Sequence, residues 1–226
     1  LTDARSLPIW RRASALLLLM ALAMPLSFAT WSALLNNFVI EVAQFDGSDI
    51  GWLHTVREIP GFLAVGVILV ILFVREQVLA MISLSLLGVA TAVTGWFPTV
   101  GGIMFVTLFS SIGFHYYETV NQSLQLQWLP KDRAPKVLGY LLAAGSAATL
   151  VAYVLIVLTW DRLGLSYNTV FMASGGATLL IVAYCVFAFR QFESPNPQVK
   201  KFVLRRRYWL YYALQFMAGA RRQIFV

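Results

Sequence analysis

Long apolar segments alternate with short polar connections along most of the chain. A helix that crosses the roughly 30 Å hydrocarbon core of a bilayer needs about 20 mostly apolar residues. Segments of that length predict an all-α fold, a polytopic bundle of seven transmembrane helices. The predicted spans are residues 13–40, 51–74, 78–97, 100–124, 138–160, 167–189 and 208–226.

The composition favours the same interpretation. Of the 226 residues, 59% are hydrophobic and 12% are charged, whereas soluble domains carry about 25% charged residues. One apolar segment could form the core of a soluble domain, but a whole series could not be buried in a chain of this size. The single cysteine, Cys185, lies in a predicted span, so we expect no internal disulfide, no metal cluster and no cofactor.

The basic residues lie on one side of the predicted membrane. With a cytoplasmic N-terminus only Arg162 is external, and thirteen are cytoplasmic: Arg5, Arg11, Arg12, Arg75, Lys131, Arg133, Lys136, Arg190, Lys200, Lys201, Arg205, Arg206 and Arg207. This distribution predicts that the N-terminus is inside, and we expect the membrane to be a bacterial inner membrane. It also argues against nucleic acid as the reason for the net charge of +7.

The two ends of the sequence also bear on its interpretation. Residues 11–29, with two arginines, an apolar run and then Ser-Phe-Ala, resemble a secretory signal with a cleavage site. We expect no cleavage, because the apolar run continues to Ile40. The chain begins with Leu1, and its last span ends at Val226 without a polar anchor. We therefore expect a fragment of a longer protein.

Three ionisable residues in the second span are candidates for function, because a charge costs about 2.5–3.5 kcal/mol near the bilayer centre. His54 shares a helix face with both Arg57 and Glu58. Arg57 and Glu58 are adjacent, so they diverge by about 100° on a helix, and we expect that they do not simply neutralise each other. The alternative for Arg57, about 10 Å below the outer surface, is that it extends to the lipid headgroups.

The fourth span carries a stripe of polar residues on one helix face. Its members recur at intervals of four, three, four and three residues: Ser111, His115, Glu118, Gln122 and Gln125. Such a stripe lines water or a polar partner, or it forms a hydrogen-bonded seam with another helix. Histidine titrates near neutrality, and burial can bring a glutamate toward the same range. We therefore predict a proton relay, with Glu118 and His115 as the leading pair and His54 with Glu58 as the second.

The last predicted span contains two adjacent arginines, Arg221 and Arg222. Arg221 is about 20 Å from the inner surface, too far to reach the inner headgroups. Guanidinium groups bind carboxylate and phosphate in a bidentate manner, so the pair suggests a site for an anion. The alternative is that the span ends early and the pair faces the outer headgroups. The predicted solute contacts are Arg57, Arg221, Arg222, Gln122 and Asn36.

Six spans, a basic proline-containing cytoplasmic loop and a seventh span resemble the major facilitator superfamily. The cytoplasmic turn from Trp128 to Gly139, with its Pro-Lys-Asp-Arg sequence, is also similar to that family. The resemblance implies a six-helix bundle at 1–190, an inter-bundle loop at 191–207 and, at 208–226, the start of a second six-helix bundle that this chain lacks. It also implies a secondary transporter that works by alternating access.

The resemblance further implies positions for the helices. The first, fourth and seventh helices would line the cavity, and the third and sixth would face lipid. Gly139, Ala143 and Ala147 of the fifth span form a small-residue face expected to pack closely. The connection at 74–77 is shorter than the family's loop and lacks its aspartate, and the fifth span lacks the Gly-Pro signature of antiporters. Both departures argue against the drug-efflux branch.

These patterns together predict a transporter rather than an enzyme, because no nucleophile–base pair is visible within the spans. The predicted cargo is a small anionic solute, with proton coupling. The alternative is a transporter-like protein that no longer transports and acts as an assembly factor or as a subunit of a larger membrane complex. The reduced connection at 74–77 favours that alternative.

Overall fold

The computed structural model describes residues 8–193, 205–214 and 217. Within these residues the backbone forms helices and turns but no β-strand. The α-helices are α1 (Ala13–Glu41), α2 (Gly47–Phe62), α3 (Val67–Val70), α4 (Glu76–Val93), α5 (Val100–Trp128), α6 (Ala134–Thr159) and α7 (Tyr167–Ala188). Most of the predicted seventh span lies outside the described residues, although 209–214 are helical.

Five helices in the described part are long and apolar enough to cross a membrane. They are α1, α4 with the 3-10 turn that extends it to Trp96, α5, α6 and α7. Their bounds lie within about four residues of the first, third, fourth, fifth and sixth predicted spans. The prediction of an all-helical, membrane-integral chain is confirmed to this extent.

The second predicted span, 51–74, is divided rather than continuous. Its helix starts early because Asp46 and Asp49 form a capping box: Asp49 N–H donates to Asp46 Oδ1 (2.8 Å) and Asp46 N–H donates to Asp49 Oδ2 (3.2 Å). Pro60 then removes one backbone donor inside α2. The chain passes through a 3-10 turn at Leu63–Gly66 before the short α3.

The helices pack in a small set of pairs. α1 packs against α6 and α7, and α5 packs against α2 and α4. α4 and α7 pack against each other and so join the two groups. Two glycines make the close approaches possible. A Cβ at Gly113 of α5 would lie 2.7 Å from Ser83 O of α4, and one at Gly175 of α7 would overlap Gly88 O of α4.

Two apolar clusters fill the bundle, one toward each membrane surface. The first contains Leu17, Tyr117 and Val182, and the second contains Phe38, Ile103 and Phe171, each with further apolar neighbours. Between them, the buried Ser27 hydroxyl donates to Thr178 Oγ1 (2.8 Å), which donates to Ala23 O (2.9 Å). The polar groups that join α1 to α7 are therefore satisfied within the bundle, as the low-dielectric interior requires.

Two helices differ in how much of their surface is buried within the described residues. The third span, α4, is the most enclosed of the five spanning helices, because it lies between α5 and α7, and Ile82 and Val89 remain exposed on it. The small-residue face of α6 is exposed, and a Cβ at Gly139 would meet nothing within 4 Å. α6 instead buries the other face, on which lie Leu141, Ala148 and Ala152.

Candidate functional site

The contact between α2 and α5 brings together most of the ionisable residues found in the predicted spans. α2 carries His54, Arg57 and Glu58, and α5 carries His115 and Glu118. All five side chains are half-buried. The helices on either side are dominated by apolar residues, so this contact is where the described bundle concentrates charge.

Arg57 and Glu58 form an ion pair, which corrects the expectation that adjacent side chains would not neutralise each other. The Arg57 Nε and one terminal nitrogen each lie 3.0 Å from Glu58 Oε1. Both side chains are long enough to fold back over the helix surface despite the angle between their Cα–Cβ bonds. The two side chains keep 23% and 20% of their surface exposed. Glu58 has another contact besides its ion pair with Arg57. The charges of Arg57 and Glu58 both act on the His54 imidazole.

A side chain of α5 bonds to the backbone of α2 close to Pro60. The Ser111 hydroxyl donates a hydrogen bond to the Arg57 carbonyl oxygen. Pro60 removes a different bond, because it lacks the N–H that would donate to Val56 O one turn before it. The Ser111 bond is therefore an additional link between the two helices, and it holds the backbone that carries the Arg57–Glu58 pair.

His115 contacts α2 directly at a glycine. A Cβ at Gly61 would lie 3.2 Å from His115 Cε1 and 3.3 Å from Nε2, so any larger residue here would press on the ring and displace it by a few tenths of an ångström. Phe114 meets His115 edge-on at 5.2 Å and stacks on Phe28 of α1 at 4.2 Å. The imidazole is thus held between α2 and an aromatic pair that reaches α1.

The polar stripe of α5 divides into two parts. Ser111 and His115 contact α2, so the part of the stripe nearer the start of α5 is a helix–helix seam. Glu118 is half-buried and Gln122 is exposed in the described bundle, and these residues form the open part. His115 and Glu118 lie one turn apart on α5. Each has another contact besides those described above.

Among the remaining predicted solute contacts, Asn36 is not part of this cluster. Asn36 is exposed on α1, about 12 Å along the helix from Phe28, and within the described residues no hydrogen bond joins it to the Arg57–Glu58 pair. Arg221 and Arg222 lie outside the described residues.

Sequence reasoning missed a second polar cluster, at the end of the bundle predicted to be cytoplasmic. The Ser123 hydroxyl donates to Glu76 Oε1 (2.8 Å), and the Gln127 amide donates to Glu76 Oε2. Glu76 falls in a predicted connection, but it begins α4. The four-residue spacing of Ser123 and Gln127 on α5 was a usable signal, but nothing in the sequence indicated their partner.

Gln77 holds the segment that follows α7 through two hydrogen bonds. Its amide nitrogen donates to Arg190 O (3.0 Å), and its amide oxygen accepts from Phe192 N–H (2.9 Å). Gln77 is only 6% exposed, and both bonds are partly buried. The first residues after α7 are therefore held against the start of α4.

We expect Gln77→Ala to release this segment. The substitution removes the hydrogen bonds that Gln77 makes to two partly buried backbone groups, which costs up to about 1–3 kcal/mol. Limited trypsin digestion should then cleave after Arg190 several times faster than in the unmodified protein. Gln122→Ala, at an exposed glutamine outside this cluster, is the control and should leave the rate unchanged. Equal rates for all three proteins would show that Gln77 does not fasten the segment.

The described residues contain no group of three or more histidine, cysteine, aspartate or glutamate side chains placed to hold a metal ion. No protein-family model, curated protein or solved structure matches the chain. The functional argument therefore depends on the α2–α5 contact and on the arrangement of the helices.

Proposed function

We propose that this chain is the front half of a secondary transporter, similar to the major facilitator superfamily, that moves a small anionic solute with proton coupling. The observation that carries the proposal is the Arg57–Glu58 pair beside two histidines, inside an apolar bundle. Intramembrane charges are costly and are usually retained for function. The N-terminus would be cytoplasmic in a bacterial inner membrane, and the second six-helix bundle would complete the site.

The helix pairs support a bundle built from two repeats. Exchanging α1 with α5, α2 with α6 and α4 with α7 converts the main packing pairs into one another: α1–α6 into α5–α2, α1–α7 into α5–α4, and α4–α7 into itself. Two three-helix repeats related by a two-fold axis give this pattern. Repeats of that kind, with inverted topology, make up each half of a major facilitator transporter.

The ion pair suggests how proton and solute binding are linked. While Glu58 is ionised it occupies the Arg57 guanidinium, and an anion must compete with it. Transfer of a proton to the Glu58 carboxylate removes its charge, and the guanidinium then becomes available for a carboxylate or phosphate group. Glu118 and His115 would supply the leading proton path, with His54 beside Glu58. Arg221 and Arg222, with Gln122 and Asn36, would bind the solute from other helices.

A second candidate function is favoured by a specific observation. Arg57 is already neutralised by Glu58, and Ser111 and His115 form a seam rather than a cavity wall. A transporter-like protein that has become an assembly factor or a subunit of a larger membrane complex would keep these contacts for stability alone. The two candidates differ in whether the pair is needed for solute movement.

Uptake into proteoliposomes by the full-length protein tests the proposal. Small organic and inorganic anions are screened with and without a proton gradient, and Glu118→Gln and Arg221→Ala are measured in parallel. We expect uptake of one anion that depends on the gradient and is lost in both variants. Folded protein that moves no anion, and that purifies with a membrane complex, would favour the second candidate.

A further inference from the structure

A cleft of about 280 Å³ lies between α6 and α7, on the side of the bundle away from the α2–α5 contact. Both helices pack on α1 but make few contacts with each other, so α1 forms the floor of the cleft. Its apolar lining includes Leu26, Leu155, Ile156, Leu165, Ala173 and Ala177.

The hydroxyl groups in the walls are turned away from an occupant. Thr159 Oγ1 donates to Leu155 O (2.6 Å), Ser174 Oγ donates to Phe171 O (3.3 Å), and Thr169 Oγ1 shares a hydrogen bond with Ser166 Oγ (2.9 Å). Each of these groups is satisfied by its own helix or by that helix's cap. Their protons are used within the protein, so these groups offer an occupant acceptor sites only, whereas a hydrocarbon chain needs no hydrogen bond.

The shape of the cleft suits an extended chain. It is a groove that opens to the surface between two helices and not a closed cavity. An acyl chain bends freely, so it can follow such a groove and contact the apolar lining along its length.

The outer end of the cleft has the features of a membrane interface. Trp160 and Tyr167 meet edge-on at 5.0 Å beside the loop that joins the two walls, and such aromatic residues favour the headgroup level. The same loop carries Arg162, the only basic residue of the predicted outer segments, which is exposed and forms no ion pair within the described residues. An exposed guanidinium at that level complements a lipid phosphate.

We propose that this cleft binds a phospholipid of the surrounding outer leaflet, with one acyl chain between α6 and α7 and the phosphate at Arg162. The site is independent of the proposed transport function, because it shares no residue with the α2–α5 contact. The bound lipid would fill the space between two helices that both depend on α1 for packing.

Photochemical labelling in vesicles tests this site. The full-length protein is reconstituted in phosphatidylcholine that carries a diazirine in the middle of one acyl chain, and labelled residues are mapped by mass spectrometry. We expect Leu155 in the cleft to be labelled at least about fivefold more than Val157, which is the more exposed of the two (76% against 55%). Labelling in proportion to exposure would overturn the proposal.

Two variants separate the cleft from the rest of the lipid-facing surface. Ala173→Phe fills the cleft and should lower labelling of Leu155 about tenfold, because most of the acyl contact is lost. Leu180→Phe, on α7 but outside the cleft lining, should leave it unchanged. Unchanged labelling in Ala173→Phe would contradict lipid binding here.

The headgroup contact has its own test. Arg162→Gln should lower labelling of Leu155 about two- to fivefold, the effect expected of one exposed charge contact. Unchanged labelling would overturn the assignment of the phosphate to Arg162.

Discussion

Gly175→Ala should destabilise the bundle strongly, although it adds only one methyl group. The new Cβ would overlap Gly88 O and would lie 2.6 Å from Ala92 N and 2.8 Å from Ala92 Cβ, all on α4. Backbone atoms cannot swing aside as a side chain can, so α4 and α7 must separate. Overpacking of this kind costs about 1–3 kcal/mol, and we expect the Tm measured in detergent to fall by about 2–12 °C.

The next residue along α7 provides a matched control. A Cβ at Gly176 would meet nothing within 4 Å, and the helix propensity of alanine exceeds that of glycine. Gly176→Ala should therefore leave the Tm unchanged or raise it slightly. Equal Tm changes for the two variants would contradict the close approach of α4 and α7. They would also contradict the packing of these two helices as the contact that joins α1 and α6 to α2 and α5.

Removing one partner of the Arg57–Glu58 pair should abolish uptake and lower stability. Arg57→Gln removes the cation that pairs with the largely shielded Glu58 carboxylate. Glu58→Gln removes the anion that pairs with the Arg57 guanidinium. Such changes cost up to about 3–5 kcal/mol for fully buried pairs, and the partial exposure of this pair reduces that figure. We expect uptake by either variant to fall at least tenfold, which corresponds to about 1.4 kcal/mol.

The double variant, with Arg57→Gln and Glu58→Gln together, separates a binding role from a structural one. In the double variant neither charge remains after its partner has been removed. The Tm should therefore recover most of the loss seen in the single variants, with a coupling energy between the two substitutions of about 0.5–3 kcal/mol. Uptake should not recover, because the guanidinium that binds the anion is absent. Recovery of both uptake and Tm would show that the pair is only structural and would favour the subunit or assembly role.

The sequence predicted the spanning helices well because their signal is local. Apolar length and flanking charge decide whether a segment crosses a bilayer, and both are read within one segment. The division of the second span was less accessible. Pro60 was visible, but the sequence did not indicate where the helix ends after it, nor that Ser111, 54 residues from Arg57, bonds to the Arg57 carbonyl group.

The candidate site was predicted in its residues but not in its contacts. The histidines and carboxylates of α2 and α5 were identified from the cost of charge in a membrane. The angle between the two positions on the helix gave the wrong expectation that Arg57 and Glu58 would not pair. Their side chains are long and flexible enough to meet although their Cβ atoms point in different directions. The Glu76 cluster was missed because its partners come from different helices, and pairing across helices is set by tertiary packing.

The most direct test of alternating access is the labelling of one cavity residue from both sides of the membrane. Thr119 is exposed on the polar side of α5, one turn from His115, and its hydroxyl bonds to its own helix, at His115 O (2.9 Å). Thr119→Cys is introduced into full-length protein in which the sole cysteine of this chain, the buried Cys185, is changed to serine. Leu180→Cys, on the apolar surface of α7, is the control.

A membrane-impermeant maleimide is added to right-side-out or to inverted vesicles. Alternating access predicts that Thr119→Cys reacts from both sides, because the cavity opens to each in turn, while Leu180→Cys reacts from neither. Reaction of Thr119→Cys from one side only, or from neither, would contradict the account of this chain as half of an alternating-access transporter.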